Sequence, residues 1–210
     1  MLNTVRSVLT QPFAFDLLLH QFVKEKKNTV LVLLSQNWNH YSAVATKCGL
    51  NLKNCQSDGL ISAVDVFEYN SPLNGFDYSL DWAMLVQDIR AKVATLPDRS
   101  VLLIDDLSVL LSLNIDSSSI YTFVRQLRKE LAKKQSTLFV ASYYLQDDEQ
   151  LYNLITSLIY ECDTWLDCDK PNSGYSLQIN GIAKCHNKND SSLVEMNYKL
   201  SNRNVIFKRI

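Results

Sequence analysis

Glycine is scarce in this sequence, and its scarcity excludes two kinds of nucleotide site. The chain has five glycines among 210 residues, about one third of average usage. None of them precedes a lysine, and no two are separated by a single residue. The chain therefore lacks both the G-x-x-x-x-G-K phosphate loop and the G-x-G turn of dinucleotide-binding folds. A Rossmann-type methyltransferase is also excluded, because it would need a glycine-rich turn after its first strand.

Charge of one sign and long apolar runs are lacking as well. Lys and Arg number 21 and Asp and Glu number 22, so the formal net charge is -1. This balance argues against a polybasic nucleic-acid arm or membrane patch. The longest apolar runs, such as Val30–Leu34, are far shorter than the ~20 residues of a membrane helix, and the N-terminal segment does not resemble a signal peptide. We therefore expect no membrane association and a cytoplasmic location, with the nucleus left open.

Cysteine pairs at metal-binding spacing are also absent. Five cysteines are scattered along the chain without a C-x-x-C pair, as expected for reduced thiols inside the cell. The one conceivable metal cluster combines Cys162, Cys168, Cys185 and His186, and its spacing does not match a zinc site. No histidine lies beside a nucleophile motif. We therefore expect no metal, no cofactor and no catalytic residue.

What the sequence does contain is the alternation of an α/β fold. Short β-branched runs alternate with segments of helical period over the first two thirds of the chain, and from Cys162 the period changes to two. We predict one domain over residues 1–210, with a mostly parallel twisted sheet flanked by helices and finished by antiparallel strands.

The predicted elements follow that alternation. The first predicted strands are Val5–Leu9, Thr29–Leu34, one between Leu60 and Phe67, Val101–Ile104 and Leu138–Ala141. The predicted helices are Asp16–Lys26, Trp38–Cys48, Asp77–Leu96, Asp116–Lys134 and Leu151–Ile159. The predicted antiparallel strands are Thr164–Asp167, Tyr175–Ala183, Leu193–Leu200 and Val205–Lys208.

Two carboxylates end the best-defined strand. Val101–Ile104 is followed by Asp105 and Asp106. In RecA-like and other P-loop NTPases a carboxylate at this place, the Walker B position, helps to hold Mg²⁺ against the nucleotide phosphates. The alternative is that one Asp accepts hydrogen bonds from the backbone of the following turn, Leu107–Ser108. The sequence favours the alternative, because the phosphate loop that accompanies a Walker B residue is missing.

The place where a phosphate loop would lie is occupied by Thr10–Phe15. This segment has no glycine to let the backbone wrap a phosphate and no lysine to meet its charge. Pro12 has no N–H, and two Phe side chains would fill the phosphate space. We expect that the chain does not hydrolyse ATP unaided.

A cationic helix face is the candidate for contact with RNA. Arg125, Arg128, Lys129 and Lys133 recur at helical spacing, opposite the apolar stripe of the same helix. Cations in this arrangement can meet RNA phosphates. The alternative is an ordinary solvated face, which is favoured because no aromatic residue is interleaved to stack on bases.

Two segments together resemble one family. The first is Ser35–Ser42 with its continuation Lys47–Leu50, and the second is Val101–Leu113, in which Asp-Asp-Leu-Ser precedes Leu-Leu-Ser-Leu. The first is similar to the turn and helix after the second strand of the Elongator complex protein 6 family. The second is similar to that family's central strand and the segment after it. The order of elements is compatible over nearly the whole chain, although 70–76 and the last strands offer no matching motif.

The resemblance implies a subunit of a ring. Elongator complex proteins 4, 5 and 6 share a RecA-like fold and assemble as a heterohexameric ring with two copies of each. The ring belongs with the catalytic Elongator subcomplex, which modifies wobble uridines of tRNA. It binds tRNA, and ATP hydrolysis by the assembled ring is associated with tRNA release. Family members at this position lack a proper P-loop, which agrees with the segment Thr10–Phe15 of this chain.

The function that follows is that of a non-catalytic RecA-like subunit. Its partners would be Elongator complex proteins 4 and 5, the catalytic subcomplex, and tRNA through the assembled ring. Obligate rings use large apolar interfaces, so exposed aromatic residues are candidates for the contacting surface. The candidates are Trp38, Tyr41, Tyr143 and Tyr144. The alternative for each of them is an ordinary place in the core.

The alternative is an enzyme of the same fold class. A divergent RecA-like NTPase would retain the Walker-B-like Asp105 or Asp106 and take its phosphate ligands from a neighbouring subunit. In ring ATPases a neighbour can also supply an arginine finger in trans. The candidates for such a donor in this chain are Arg203, Lys208 and Arg209.

Overall fold

A nine-stranded sheet forms the centre of the structure. A computed structural model describes residues 7–9, 12–73, 77–142, 148–169, 171, 178–201 and 205–209. The strands are β1 (Ser7–Leu9), β2 (Thr29–Leu33), β3 (Ile61–Asp65), β4 (Asn70–Leu73), β5 (Asp77–Leu80), β6 (Val101–Ile104), β7 (Thr137–Ala141), β8 (Thr164–Asp169), β9 (Gly181–Asn187), β10 (Ser192–Leu200) and β11 (Val205–Arg209).

The sheet is parallel in its first part and antiparallel in its last. Its order is β3-β2-β6-β7-β1-β8-β9-β10-β11, and neighbours are parallel as far as β8. From β8 onward each pair is antiparallel. The predicted α/β class, with a mostly parallel sheet finished by antiparallel strands, is confirmed. β8 itself, predicted among the antiparallel strands, joins the two parts, because it pairs with β1 in parallel and with β9 antiparallel.

Two layers of helices cover the parallel strands. The helices are α1 (Pro12–Lys24), α2 (Trp38–Lys47), α3 (Leu52–Ser57), α4 (Trp82–Thr95), α5 (Ser108–Ser112), α6 (Ser117–Lys133) and α7 (Glu149–Glu161). α4, α6 and α7 pack on one face of the sheet, and α1, α2 and α3 pack on the other. Alternate residues of β6 enter the two cores, with Leu102 and Ile104 in one and Val101 and Leu103 in the other. This burial on both faces explains the continuous apolar run of that strand.

The clearest error of the sequence analysis concerns the helix predicted at Asp77–Leu96. Residues 77–80 form β5, which pairs with β4 in a separate two-stranded sheet. The helix starts only at Trp82, because the Asp81 side chain accepts a hydrogen bond from the Met84 N–H (3.0 Å) and so caps the helix.

Several other bounds also differ from the prediction. α1 begins at Pro12 rather than Asp16, since the first turn of a helix tolerates a residue without an N–H. β9 begins at Gly181 rather than Tyr175, and residues 172–177 lie outside the described part. α3 and α5 are short helices that the sequence analysis did not predict.

The last three strands, β9 to β11, extend the sheet beyond the two helical layers, and we call them the C-terminal wing. A small core holds the wing to the rest of the fold and is made of Cys168, Ala183 and Tyr198. The ring of Tyr198 packs against Phe13 at the start of α1, with centroids 4.7 Å apart. Gly181 allows this packing, since a Cβ there would overlap the Tyr198 ring and lie 2.5 Å from the Asp169 carbonyl oxygen.

Candidate functional site

Asp105, at the end of β6, is the centre of the candidate site. β6 lies between β2 and β7, with Ile104 in register with Val32 of β2. The carboxyl ends of β2 and β6 are therefore adjacent, and the loop after β2 lies beside Asp105. The Asp105 side chain is buried there, with 2% of its surface exposed.

The loop after β2 directs its donors at this carboxylate. Oδ1 accepts hydrogen bonds from the N–H groups of Leu34 and Ser35, the latter at 3.1 Å. Oδ2 accepts from the Ser35 hydroxyl at 3.2 Å and from the Gln36 N–H at 3.3 Å. Three successive backbone N–H groups thus converge on one anion, an arrangement that elsewhere binds phosphate or other anions.

Tyr41 completes the ring of donors from α2. Asn37 caps this helix by accepting a hydrogen bond from the His40 N–H (3.0 Å), which fixes where α2 begins. The Tyr41 hydroxyl then donates to Asp105 Oδ2 at 2.7 Å, while its ring packs against Phe15 with centroids 5.1 Å apart. Tyr41 is therefore a core residue and not one of the exposed aromatic residues considered for an interface.

The electrostatics of the pair keep Tyr41 protonated. Burial raises the pKa of the Tyr41 phenol far above its usual range, and the negative charge of Asp105 raises it further. Burial also raises the pKa of Asp105, while Tyr41 and the loop N–H groups oppose that shift because they stabilise the carboxylate. The structure thus uses both oxygens of Asp105 to hold the loop and α2 in place.

Asp106 is held by the turn that follows it. It accepts hydrogen bonds from the backbone N–H of Ser108 at 3.2 Å and from the Ser108 hydroxyl. Its φ of 33° lies in the left-handed region, which Asp tolerates better than most residues. The alternative to a Walker B role was that one Asp accepts hydrogen bonds from the backbone of the following turn. Asp106 does so, through the Ser108 N–H. Asp105 also accepts backbone N–H groups, but they come from the loop after β2.

Asp16 lies close to this site on α1. Its pKa is raised to about 6, chiefly because the carboxyl is partly buried, and the charge of His40 on α2 opposes the shift. An ionised Asp16 also raises the pKa of Tyr41. The region at the start of α1 therefore contains a carboxylate whose charged form costs folding free energy at neutral pH.

We expect the variant Asp16→Asn to be more stable than the wild type at pH 7 by about 1–2 kcal/mol, after allowance for solvent screening. The folded-state pKa is raised, so between about pH 4 and 6 the folded chain holds a proton that the unfolded chain has released. The contribution of Asp16 to the free energy of unfolding of the wild type therefore increases as the pH falls from about 6 to about 4. Below about pH 4 the wild type and Asp16→Asn should be equally stable. Urea unfolding followed by circular dichroism at pH 7 and pH 4 measures it. Asp98→Asn, at an exposed carboxylate, is the control; equal stability of Asp16→Asn and wild type at pH 7 would contradict the prediction.

The cationic face of α6 is partly neutralised in the structure. Glu161, at the end of α7, accepts a hydrogen bond from Arg128 at 2.6 Å and lies 3.4 Å from Arg125 Nε. The Tyr121 hydroxyl also donates to Glu161 at 2.6 Å. Together these donors and cations lower the pKa of Glu161, led by Tyr121. Of the candidates for RNA contact, Lys129 and Lys133 are exposed on the same helix.

Two of the candidates for a donor in trans lie far along the sheet from Asp105. Lys208 and Arg209 are exposed on β11, at the edge of the C-terminal wing. Arg203 lies outside the described residues, as do the interface candidates Tyr143 and Tyr144. Trp38, the remaining interface candidate, is half-buried against the core beneath α1 and α2.

Burial disfavours the thiolate form of three of the five cysteines. Burial raises the pKa of Cys162 to about 11 and that of Cys168 to about 12, and it also raises the pKa of Cys185. A thiol binds metal or attacks a substrate as the thiolate, which these surroundings disfavour. Within the described part of the chain, no group of three or more His, Cys, Asp or Glu side chains is arranged to hold a metal ion.

Sequence reasoning identified Asp105 but missed the groups that surround it. Tyr41 was weighed as an interface residue, and Ser35 and Asp16 were not singled out. The available signal was a polar loop and a helix cap directly after β2, at Ser35–Asn37. This signal points to Asp105 only once β2 and β6 are known to be neighbours in the sheet. The spacing of residues along the chain does not give the order of strands in the sheet.

The fold and this site together define a class: an α/β protein of RecA-like type whose acidic strand end is hydrogen bonded within the fold. Comparison with known proteins identifies the family. The family model described as "Elongation complex protein 6" matches residues 12–207. Elongator complex protein 6 of Xenopus laevis is 25% identical over 235 aligned residues, covering 98% of this chain and 86% of that protein. Elongator complex protein 6 of Xenopus tropicalis is 27% identical over 174 residues, covering 73% of this chain and 65% of that protein.

The chain belongs to the Elongator complex protein 6 family, since the family model matches nearly its whole length. The resemblance noted from two short motifs is therefore confirmed, and with it the RecA-like type of the fold. Among the described helices, none is both long and apolar enough to cross a membrane.

Proposed function

We propose that this chain is a non-catalytic, RecA-like subunit of a heterohexameric ring formed with Elongator complex proteins 4 and 5, two copies of each. In this proposal one RecA-like domain spans residues 1–210. The ring joins the catalytic Elongator subcomplex, binds tRNA and supports modification of wobble uridines in the cytoplasm, with the nucleus left open as a second location. Membership in the Elongator complex protein 6 family supports the choice of partners.

The observation that carries the non-catalytic assignment is the state of Asp105. A Walker B carboxylate acts through a metal ion at the open end of its strand. Asp105 is instead 2% exposed, and both of its oxygens accept hydrogen bonds from the loop after β2 and from Tyr41. The segment Thr10–Phe15, where a phosphate loop would lie, has no glycine and no lysine. Together the two observations support a subunit whose role is assembly and count against a divergent NTPase.

Contact with tRNA belongs to the same proposal. Arg125 and Arg128 have a carboxylate partner in Glu161, so their charge is partly compensated. Lys129 and Lys133 have no ion pair with a described residue and are exposed. These two lysines are the cations of α6 that the proposal assigns to RNA phosphates, with the two arginines beside them.

Co-expression with Elongator complex proteins 4 and 5, followed by mass determination of the purified particle, tests the proposal. We expect a particle of six chains that contains two copies of this one. Nucleotide affinity of the isolated chain, measured by calorimetry with ATP and Mg²⁺, discriminates the enzyme alternative. A monomer that ignores both partners would overturn the ring assignment. ATP binding by the wild type that is abolished when Asp105 and Asp106 are replaced by Ala, in variants that circular dichroism shows to be folded, would favour the divergent NTPase.

A further inference from the structure

Among the strands that the structure describes, β11 forms the outer edge of the C-terminal wing. In the described part of the chain, β11 pairs with β10 and has no second neighbour. An edge strand presents a row of unpaired N–H and C=O groups to which another strand can be added. The wing also lies beyond the helices that cover the rest of the sheet, so β11 is accessible from its edge and along much of both faces.

Apolar side chains are exposed on both faces of this edge. Ile206 is 45% exposed and Phe207 is 40% exposed. They are consecutive residues of one strand and therefore point to opposite faces of the sheet. Phe207 is in register with Tyr198 of β10, and Ile206 is in register with Lys199. A strand added beside β11 would cover apolar surface on both faces at once.

The same edge is positively charged. Lys208 and Arg209 end β11, and Lys199 lies on the neighbouring strand, all three exposed and without an ion pair to a described residue. The one carboxylate of β10, Glu195, faces Lys184 of β9 in the register and lies 3.9 Å from it. The charge at the edge is therefore uncompensated by the strands beside it.

This charge disfavours a second copy of the chain as the occupant. In an antiparallel pair of two β11 strands centred on Phe207, Lys208 would lie opposite Ile206 and diagonal to the other Lys208, and the residues of β11 include no carboxylate side chain to offset these cations. Parallel pairing in register would place like charges side by side. Like charges directly opposite each other are destabilising, which counts against the parallel pairing, and lysines on edge strands commonly prevent self-association in either direction. An acidic strand avoids both costs and gains opposite-charge pairs.

We infer that the free edge of β11 receives a strand from a different protein chain, one that sets carboxylates against Lys208 and Arg209 and apolar residues against Ile206 and Phe207. In such strand addition the backbone hydrogen bonds supply affinity and the side chains supply specificity. This inference rests on the proposed function, because the chain that donates the strand is a neighbouring subunit of the ring.

Charge reversal at the edge tests the inference. The variant Lys208→Glu with Arg209→Glu changes two exposed side chains and leaves the apolar contacts of the wing intact. Co-expressed with the two proposed partners, it should enter the six-chain particle about tenfold less than the wild type, because attraction is replaced by like-charge repulsion. The matched control is Lys47→Glu with Lys53→Glu, which reverses two exposed cations on α2 and α3. Circular dichroism and thermal unfolding of both variants check that each remains folded.

The outcomes separate the two proposals. Loss of the particle with the β11 variant alone, while the control assembles and both variants are folded, supports the inference. Assembly of the β11 variant at the wild-type level overturns the inference and leaves the ring standing. Equal loss with both variants also overturns it, since net charge and not the edge would then govern assembly. Failure of the wild type to assemble overturns the proposed function, and this inference with it.

Discussion

The variant Asp105→Asn is expected to lose about 2–4 kcal/mol of its free energy of unfolding. The carboxylate accepts hydrogen bonds from the loop after β2 and from the Tyr41 hydroxyl, in a site that is 2% exposed. The Asn side chain has the same shape, but its NH₂ group replaces one of the two acceptor oxygens and would face N–H or O–H groups that also donate. Buried donors left without acceptors cost the full free energy of desolvation, which exceeds the net value of a hydrogen bond.

The neighbouring Asp106 provides the matched control for this experiment. Asp106→Asn makes the same chemical change one residue later, at a position whose positive φ Asn also tolerates. Its oxygen can still accept from the Ser108 N–H, so we expect a loss of about 1 kcal/mol or less. Urea unfolding of the full chain, followed by circular dichroism, measures both variants. Equal losses at the two positions would mean that the donors around Asp105 do not set its contribution.

Gly181→Ala is expected to destabilise the protein by about 2–4 kcal/mol through overpacking. A Cβ at this buried position of β9 would overlap the Tyr198 ring and lie 2.5 Å from the Asp169 carbonyl oxygen. The ring is held in turn by Phe13, and the carbonyl belongs to the backbone of β8, so neither moves freely. The expected consequence is loosening of the C-terminal wing before the parallel part of the sheet.

Gly59→Ala distinguishes this steric cost from the cost of backbone conformation. Gly59 has a φ of +72° and no atom within 4 Å of an added Cβ, so its substitution costs only backbone strain, about 1 kcal/mol. Thermal unfolding compares the two variants, and hydrogen exchange of the amides in β9 and β10 reports on the wing. A Gly181→Ala protein that is as stable as Gly59→Ala, with unchanged exchange in the wing, would contradict the expected overlap.

The elements that the sequence predicts well are those with a strong period or a clear cap. The helix α6 has its predicted buried stripe, and Asp116, one of the residues from which the cap could come together with the serines after it, caps it; β6 has its predicted bounds. The strand β5 was missed because residues 77–80 immediately precede a long helix, and the helical period was extended into them. The pairing of β5 with β4 and the hydrogen bond at the Asp81 cap set that boundary, and a helical period does not show the strand pairing.

The site was predictable in its central residue and not in its partners. Asp105 ends a buried strand, which one segment of sequence is enough to show. Its donors lie 64 to 71 residues earlier in the chain, on a strand and a helix that become neighbours only through the order of the sheet. Composition and period define each element but not which strands are adjacent, so a contact of this range stays outside single-sequence reasoning.

The anion around which the loop after β2 folds is Asp105 of the same chain, and this has a mechanical consequence. In rings driven by nucleotide hydrolysis, loops become ordered around the phosphate when nucleotide binds and are released after hydrolysis. Here Asp105 is covalently part of the chain, so the carboxyl group that holds Leu34–Gln36 cannot dissociate as a phosphate does. Within the proposed ring this subunit would therefore keep one conformation at this loop while neighbouring subunits bind and hydrolyse ATP.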